Sequence, residues 1–141
     1  MADPVRVLFL CTGNSARSQM AEGLLRFLGK GDFEVHSAGS DPKGLNPLAV
    51  QAMSEIGIDI SQQESKHLNV FLDQRFDYVI TVCDRANESC PIFPGDPIRI
   101  HWSYPDPAAA TGGQDAMLKA FRKVRDELRE RLRLWILTQR N

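Results

Sequence analysis

A chain of 141 residues, 43% hydrophobic and 25% charged, has the composition of one globular domain over 1–141, which excludes a disordered or fibrous protein. Its net charge of −1, with no like-charge block at either end, leaves no electrostatic footprint for a nucleic acid. No apolar run approaches the ~20 residues of a membrane span, and the first one is short, broken by Arg6 and followed by a polar loop rather than a cleavage site, so a cytoplasmic protein is expected.

Residues 5–10 are nearly continuously apolar, as a strand buried on both faces is. From about 18 to 28 the pattern is helical, with Met20, Ala21, Leu24, Phe27 and Leu28 on one face and Gly29 at the end. Residues 33–38, "FEVHSA", read as a second strand, and "GSDPKGLNP" as loop. Pro47 opens a helix with Asn46 as N-cap, burying Leu48, Met53 and Ile56 before Gly57. An irregular stretch follows, with a helical turn near 66–73. "FDYVITV", 76–82, is aromatic and β-branched, hence a strand, and 97–102 is a last short one. A long helix over 114–138 carries Met117, Phe121, Val124, Leu128, Leu132 and Trp135 as an apolar stripe, with Glu127 and Arg131 as an i,i+4 pair. Strands alternating with helices predict an α/β fold: a single-domain, doubly wound, Rossmann-like parallel sheet of four strands flanked by helices. Ligands of such sheets bind at the carboxyl ends of the strands, the rim to which this order brings Cys11, Cys83 and Asp106.

At that rim the first strand runs into "CTGNSARS", residues 11–18. A turn of Thr12, Gly13, Asn14, Ser15 and Ala16 before a helix can aim successive backbone N–H groups inward as a nest for an oxyanion. Gly13 and Asn14 tolerate the left-handed backbone this requires. Arg17 can fork onto two oxygens of a tetrahedral anion. The same field lowers the pKa of a thiol at its centre, so Cys11 is expected as a thiolate at neutral pH, with Ser15 and Ser18 as donors to its sulfur. Two more thiols stand in "VTVCDRANESCP": Cys83 ends a strand and Cys90 lies seven residues on. They have no zinc spacing, and no metal site is expected. They form either a redox-active pair, if the loop brings their Cα atoms within ~7 Å, or two structural thiols. Asp106 in "YPDPA" is either a turn aspartate or a general acid over the nest. His36, His67 and His101 read as sheet-edge or loop residues without metal roles.

C-x5-R-S after the first strand, with "HSAGS" and "HWSYPDPA" further on, resembles the low-molecular-weight tyrosine phosphatase fold over nearly the whole chain. With Cys83 and Cys90 added, the pattern is similar to the thioredoxin-coupled arsenate reductases of that fold. The resemblance implies an enzyme of arsenical resistance. In it Cys11 attacks arsenate, Cys83 resolves the adduct with release of arsenite, and Cys90 takes over the disulfide from Cys83. It implies no tightly bound cofactor, an external dithiol reductant (thioredoxin or glutaredoxin), and phosphate and sulfate as competing anions. Phosphatases of the fold carry an aromatic residue after Asp-Pro. Here Ala108–Ala110 follow, which favours a small inorganic substrate. Some reductases of the family hold potassium beside the loop, and Asn14, Glu22 and Ser37 match those positions. Lys66 stands where such members carry a carboxylate, and its ammonium is able to replace the ion. Two other classes stay open: a phosphomonoester hydrolase working through a Cys11 phosphocysteine, and an anion sensor or redox-switch module without turnover.

Overall fold

The computed structural model describes residues 3–88 and 90–139. Strands β1 (Val5–Leu10), β2 (Phe33–Ala38), β3 (Tyr78–Thr81) and β4 (Ile98–His101) form one parallel sheet in the order β2-β1-β3-β4. β1 lies between two neighbours, Leu10 aligning with Ala38 on one side and Thr81 on the other. Val7, Leu8 and Phe9 are accordingly buried completely, as a strand covered on both faces requires. β4 pairs only with β3 and leaves most of its residues exposed. All four strands point their carboxyl ends at one rim, the parallel arrangement expected from the alternation of elements.

Helices α1 (Arg17–Gly29), α2 (Pro47–Ser54) and α4 (Gln114–Thr138) pack on one another, and a short α3 (Asp84–Glu88) follows β3. The Asn46 side chain caps α2 by accepting from the Leu48 N–H at 2.8 Å, with Pro47 as first residue. α4 has the expected limits, and Phe121, Val124, Leu128 and Leu132 are buried, each side chain stabilising the fold by about 1.5–3 kcal/mol.

Several details depart from the sequence expectations. On α1, Leu25 is fully buried and Phe27 is 55% exposed. At 100° per residue Leu25 lies about 40° beyond Ala21, on the side where Ser18 is also fully buried, and Phe27 lies about 20° beyond Met20 at the opposite edge, so the buried arc is shifted toward Ala21. β3 starts two residues late, because Phe76 turns into a ring cluster with Phe71 and Phe93 and Asp77 accepts from the Arg6 N–H. The ion pair expected between Glu127 and Arg131 does not form; Arg131 lies over the Trp102 ring, 5.3 Å from its centroid. Arg125, on the helix with the charged face, is buried, bonding the Ala52 carbonyl and Glu55.

Leu25→Ala is expected to destabilise the protein by about 2–5 kcal/mol, and Phe27→Ala by less than about 1 kcal/mol. Denaturant unfolding of the two variants checks which residue the core holds.

Candidate active site

Residues 11–17 leave β1 and wind back into α1, and three carbonyls of the loop are held by the segment from Asp41 to Asn46. The carbonyls of Thr12, Gly13 and Ser15 accept from the N–H groups of Asp41, Lys43 and Asn46 at 2.9, 2.9 and 3.0 Å. Among the described residues, none of the N–H groups of Asn14, Ser15, Ala16 and Arg17 donates to another backbone carbonyl. Carbonyls out and amides in is the geometry of an anion nest.

Asn14 sets this turn. It takes the left-handed conformation expected of it, φ +43°, and is fully buried. Its amide nitrogen donates to the Ser18 and Ser37 hydroxyls, both at 2.9 Å, and its amide oxygen accepts from the Lys66 N–H at 2.8 Å. Ser18 therefore belongs to the frame of the loop. Gly39, which sequence reasoning passed over inside "HSAGS", is equally necessary. A β-carbon there would stand 2.4 Å from the Thr12 oxygen and 2.5 Å from the Cys11 oxygen. Only a residue without a side chain lets this strand end lie against the loop.

The loop floors an open cleft of about 1040 Å³ that also takes in Cys83 and Asp106. Arg17 opens α1 and reaches across to donate to the Tyr104 carbonyl at 2.9 Å, which ties the nest to the segment carrying Asp106. Asp106 sits exposed at the rim, where its carboxylate accepts from the Ala108 N–H at 3.0 Å. It is thus the turn aspartate, and it lines the same cleft as Cys11 and Arg17. Ala108 lines that cleft too.

Cys11 and Cys83 are both buried and unoxidised and line the same cleft. The neighbouring Cys83 thiol, and then burial, push the Cys11 thiol far above its ordinary value, while the Arg17 guanidinium and the Gly13 N–H pull the other way. The neighbouring Cys11 thiol, with the Thr12 hydroxyl and the N–H groups of Ala86 and Thr12, lowers Cys83 to about 4 against the pull of burial; the Thr12 hydroxyl oxygen stands 3.6 Å from the Cys83 sulfur. The pair thus gives up one proton readily and keeps the other. The thiolate expected at Cys11 therefore belongs to a coupled pair, in which Arg17 and the Gly13 N–H favour it on Cys11 and the Thr12 hydroxyl favours it on Cys83. Cys90 is half-buried, donates to the Pro91 carbonyl at 3.7 Å, and shares a small cavity with Cys11, Leu10 and Ala86. Burial raises its pKa. Cys11 thus shares one cavity with Cys83 and another with Cys90.

The cluster of Asn14, Glu22 and Ser37 forms as expected but does not suit a potassium ion. Ser37 donates to Glu22 at 2.5 Å, and Arg26 pairs with the other Glu22 oxygen at 2.6 Å. Asn14 turns its NH2 group, not its oxygen, toward Ser37. The cation that neutralises the buried Glu22 is therefore the guanidinium of Arg26, one helical turn on. Lys66, expected in that role, points its Nζ to the Glu64 carbonyl in solvent.

Residues 6–140 match the family described as low molecular weight phosphotyrosine protein phosphatase. The chain belongs to this family. Within the phosphatase family its relatives include a protein named arsenate reductase from Halalkalibacterium halodurans, 47% identical over 133 residues, or 94% of this chain and 95% of the relative. A solved structure described as an arsenate reductase in the phosphate binding state superposes with a TM-score of 0.77 at 34% identity, covering 95% of this chain and 98% of the other. A thioredoxin-dependent arsenate reductase from Corynebacterium glutamicum superposes with a TM-score of 0.70 at 34% identity, covering 99% of this chain and 64% of the other.

Gly39→Ala is expected to push the loop out of place, to destabilise the fold by about 1–3 kcal/mol and to abolish calorimetric phosphate binding. The thiol pair is expected to alkylate at Cys83 ahead of Cys11 in anion-free protein at pH 6, since a lowered pKa keeps the thiolate until the pH falls through about 4. Cys11→Ala removes the neighbouring thiol and moves that midpoint upward, toward the ordinary thiol value of about 8.5. Peptide mapping after timed iodoacetamide exposure reads both.

Proposed function

We propose that the protein is an arsenate reductase in which Cys11, Cys83 and Cys90 pass the oxidation outward to a dithiol protein. The observation that carries this reading is that Cys83 lines the same cleft as Cys11 and Arg17, beside the loop that follows β1. A hydrolase of this fold needs one thiol there. A second thiol with a lowered pKa, in the same cleft as the first, gives a sulfur–arsenic adduct an exit other than water.

The nest N–H groups and Arg17 hold the arsenate oxygens. Cys11 passes its proton to Cys83 and attacks arsenic as a thiolate, while Asp106 gives a proton to the departing oxygen, which leaves as water. Cys83, once deprotonated again, attacks the Cys11 sulfur. The new S–S bond forms as the S–As bond breaks. Its electron pair stays on arsenic, and arsenite leaves with the two electrons lost by the two thiols. Cys90 then attacks Cys83, which frees Cys11 and leaves a Cys83–Cys90 disulfide for the reductant. Thioredoxin fits that role, in line with the thioredoxin-dependent relative, and a glutaredoxin is the second candidate. Both reside in a reducing cytoplasm, the compartment in which free thiols persist.

Arsenate-dependent oxidation of thioredoxin, followed in a coupled assay, is the expected result. No turnover with either thioredoxin or glutaredoxin overturns the reading. Cys90→Ser is expected to release about one arsenite per chain and stop, with a Cys11–Cys83 disulfide found by peptide mapping. Rapid hydrolysis of an aryl phosphate, unchanged in Cys83→Ala, is the outcome that points to a phosphatase instead.

A further inference from the structure

His101 has no part in the chemistry above, and the sequence marks it only as the end of an edge strand. The structure gives both of its ring nitrogens work. Thr81, its partner in the β3–β4 register, has its hydroxyl 2.7 Å from Nδ1. Nε2 stands 2.8 Å from an Asp84 carboxylate oxygen. A carboxylate only accepts, so Nε2 carries a proton and donates to Asp84; His101 in turn holds the Asp84 carboxyl below its usual range, with help from Ser103. Thr81 is buried, and Asp84 is the first residue of α3. Between these two anchors the chain passes through Val82 and Cys83.

We propose that His101 is a positioning residue for Cys83: its ring grips the chain on both sides of that thiol and fixes the sulfur against Cys11. The inference rests on the reading of Cys83 as the thiol that resolves the Cys11 adduct. The tie to Asp84 sets the first turn of α3, and from that turn the Asn87 N–H donates to the Cys83 carbonyl at 3.2 Å. Without the tie, a helix of five residues has too few internal bonds to hold its own orientation. Attack on a sulfur requires the two sulfurs in line with the breaking bond, and a displacement of about 1 Å costs rate steeply. His101 does not line the cleft, so the oxyanion nest is independent of it.

The experiment is a single turnover with stoichiometric arsenate, in which formation of the Cys11–Cys83 disulfide is timed by peptide mapping and phosphate affinity is measured alongside. His101→Ala is expected to slow the disulfide step by about tenfold or more with phosphate affinity unchanged. His101→Gln, whose amide nitrogen can replace Nε2 toward Asp84, is expected to recover most of the rate. His101→Asn, which reaches only Thr81, is expected to resemble His101→Ala. Asp84 is 74% exposed, so Asp84→Ala should keep its fold; because Asp84 lines the cleft, only the rate of the disulfide step is read from this variant, and phosphate affinity is compared in the His101 variants alone. The double variant is expected to be no slower than either single one. Parent rates in His101→Ala or Asp84→Ala, equal rates in the Gln and Asn variants, or a parallel fall in phosphate affinity overturn the proposal. If the unmodified protein forms no disulfide with arsenate, the reduction reading falls with it. If it does and the variants match it, only the role of His101 falls.

Discussion

The amide of Asn14 is the group on which the rest of the site depends. It lies in a left-handed turn, out of contact with water, and both the oxygen and the nitrogen of its side chain are engaged by the surrounding chain. A buried polar group so fully matched stabilises one arrangement and penalises the others, since each slip of the loop would strand a donor or an acceptor. The carbonyls of the loop are pulled outward by the segment from Asp41 to Asn46, and its amides are left pointing inward. The oxyanion nest is thus built before any anion arrives, which is what makes its electrostatics effective.

Around that frame the proposed reaction has two parts. In it Arg17 and the nest take a tetrahedral oxyanion without distinguishing phosphorus from arsenic, and Cys83 attacks only what Cys11 has become. Cys83 follows β3, the neighbour of β1 in the sheet, and the register that sets Leu10 beside Thr81 brings both cysteines to one cleft. On this reading sheet order, rather than loop sequence, selects the redox path.

Much of this was legible in the sequence because it is local. The strand, the small polar turn and the arginine at the start of the helix lie within twenty residues, and the limits of the first strand, the second and the last helix could be read from periodicity alone. What escaped needed neighbours from elsewhere in the chain. Gly39 matters because of two carbonyls nearly thirty residues away. The charge on the thiol pair depends on which sulfur the Thr12 hydroxyl and the Ala86 N–H happen to face. The ion that meets Glu22 was misassigned for a different reason. Glu22 and Arg26 stand at i,i+4 on one helix, a pairing open to inspection, whereas the position of Lys66 in an irregular stretch says nothing about where a long side chain points.

The shortness of α3 has a consequence for energetics. Five residues close too few internal bonds to be stable apart from their surroundings, so α3 is expected to open on its own while the β1 core stays shut. Amide exchange in α3 is then expected to run far ahead of exchange in the central strand. A relay that passes oxidation outward from Cys83, as proposed, would draw on a weakly held part of the fold and leave the loop after β1 assembled for the next anion.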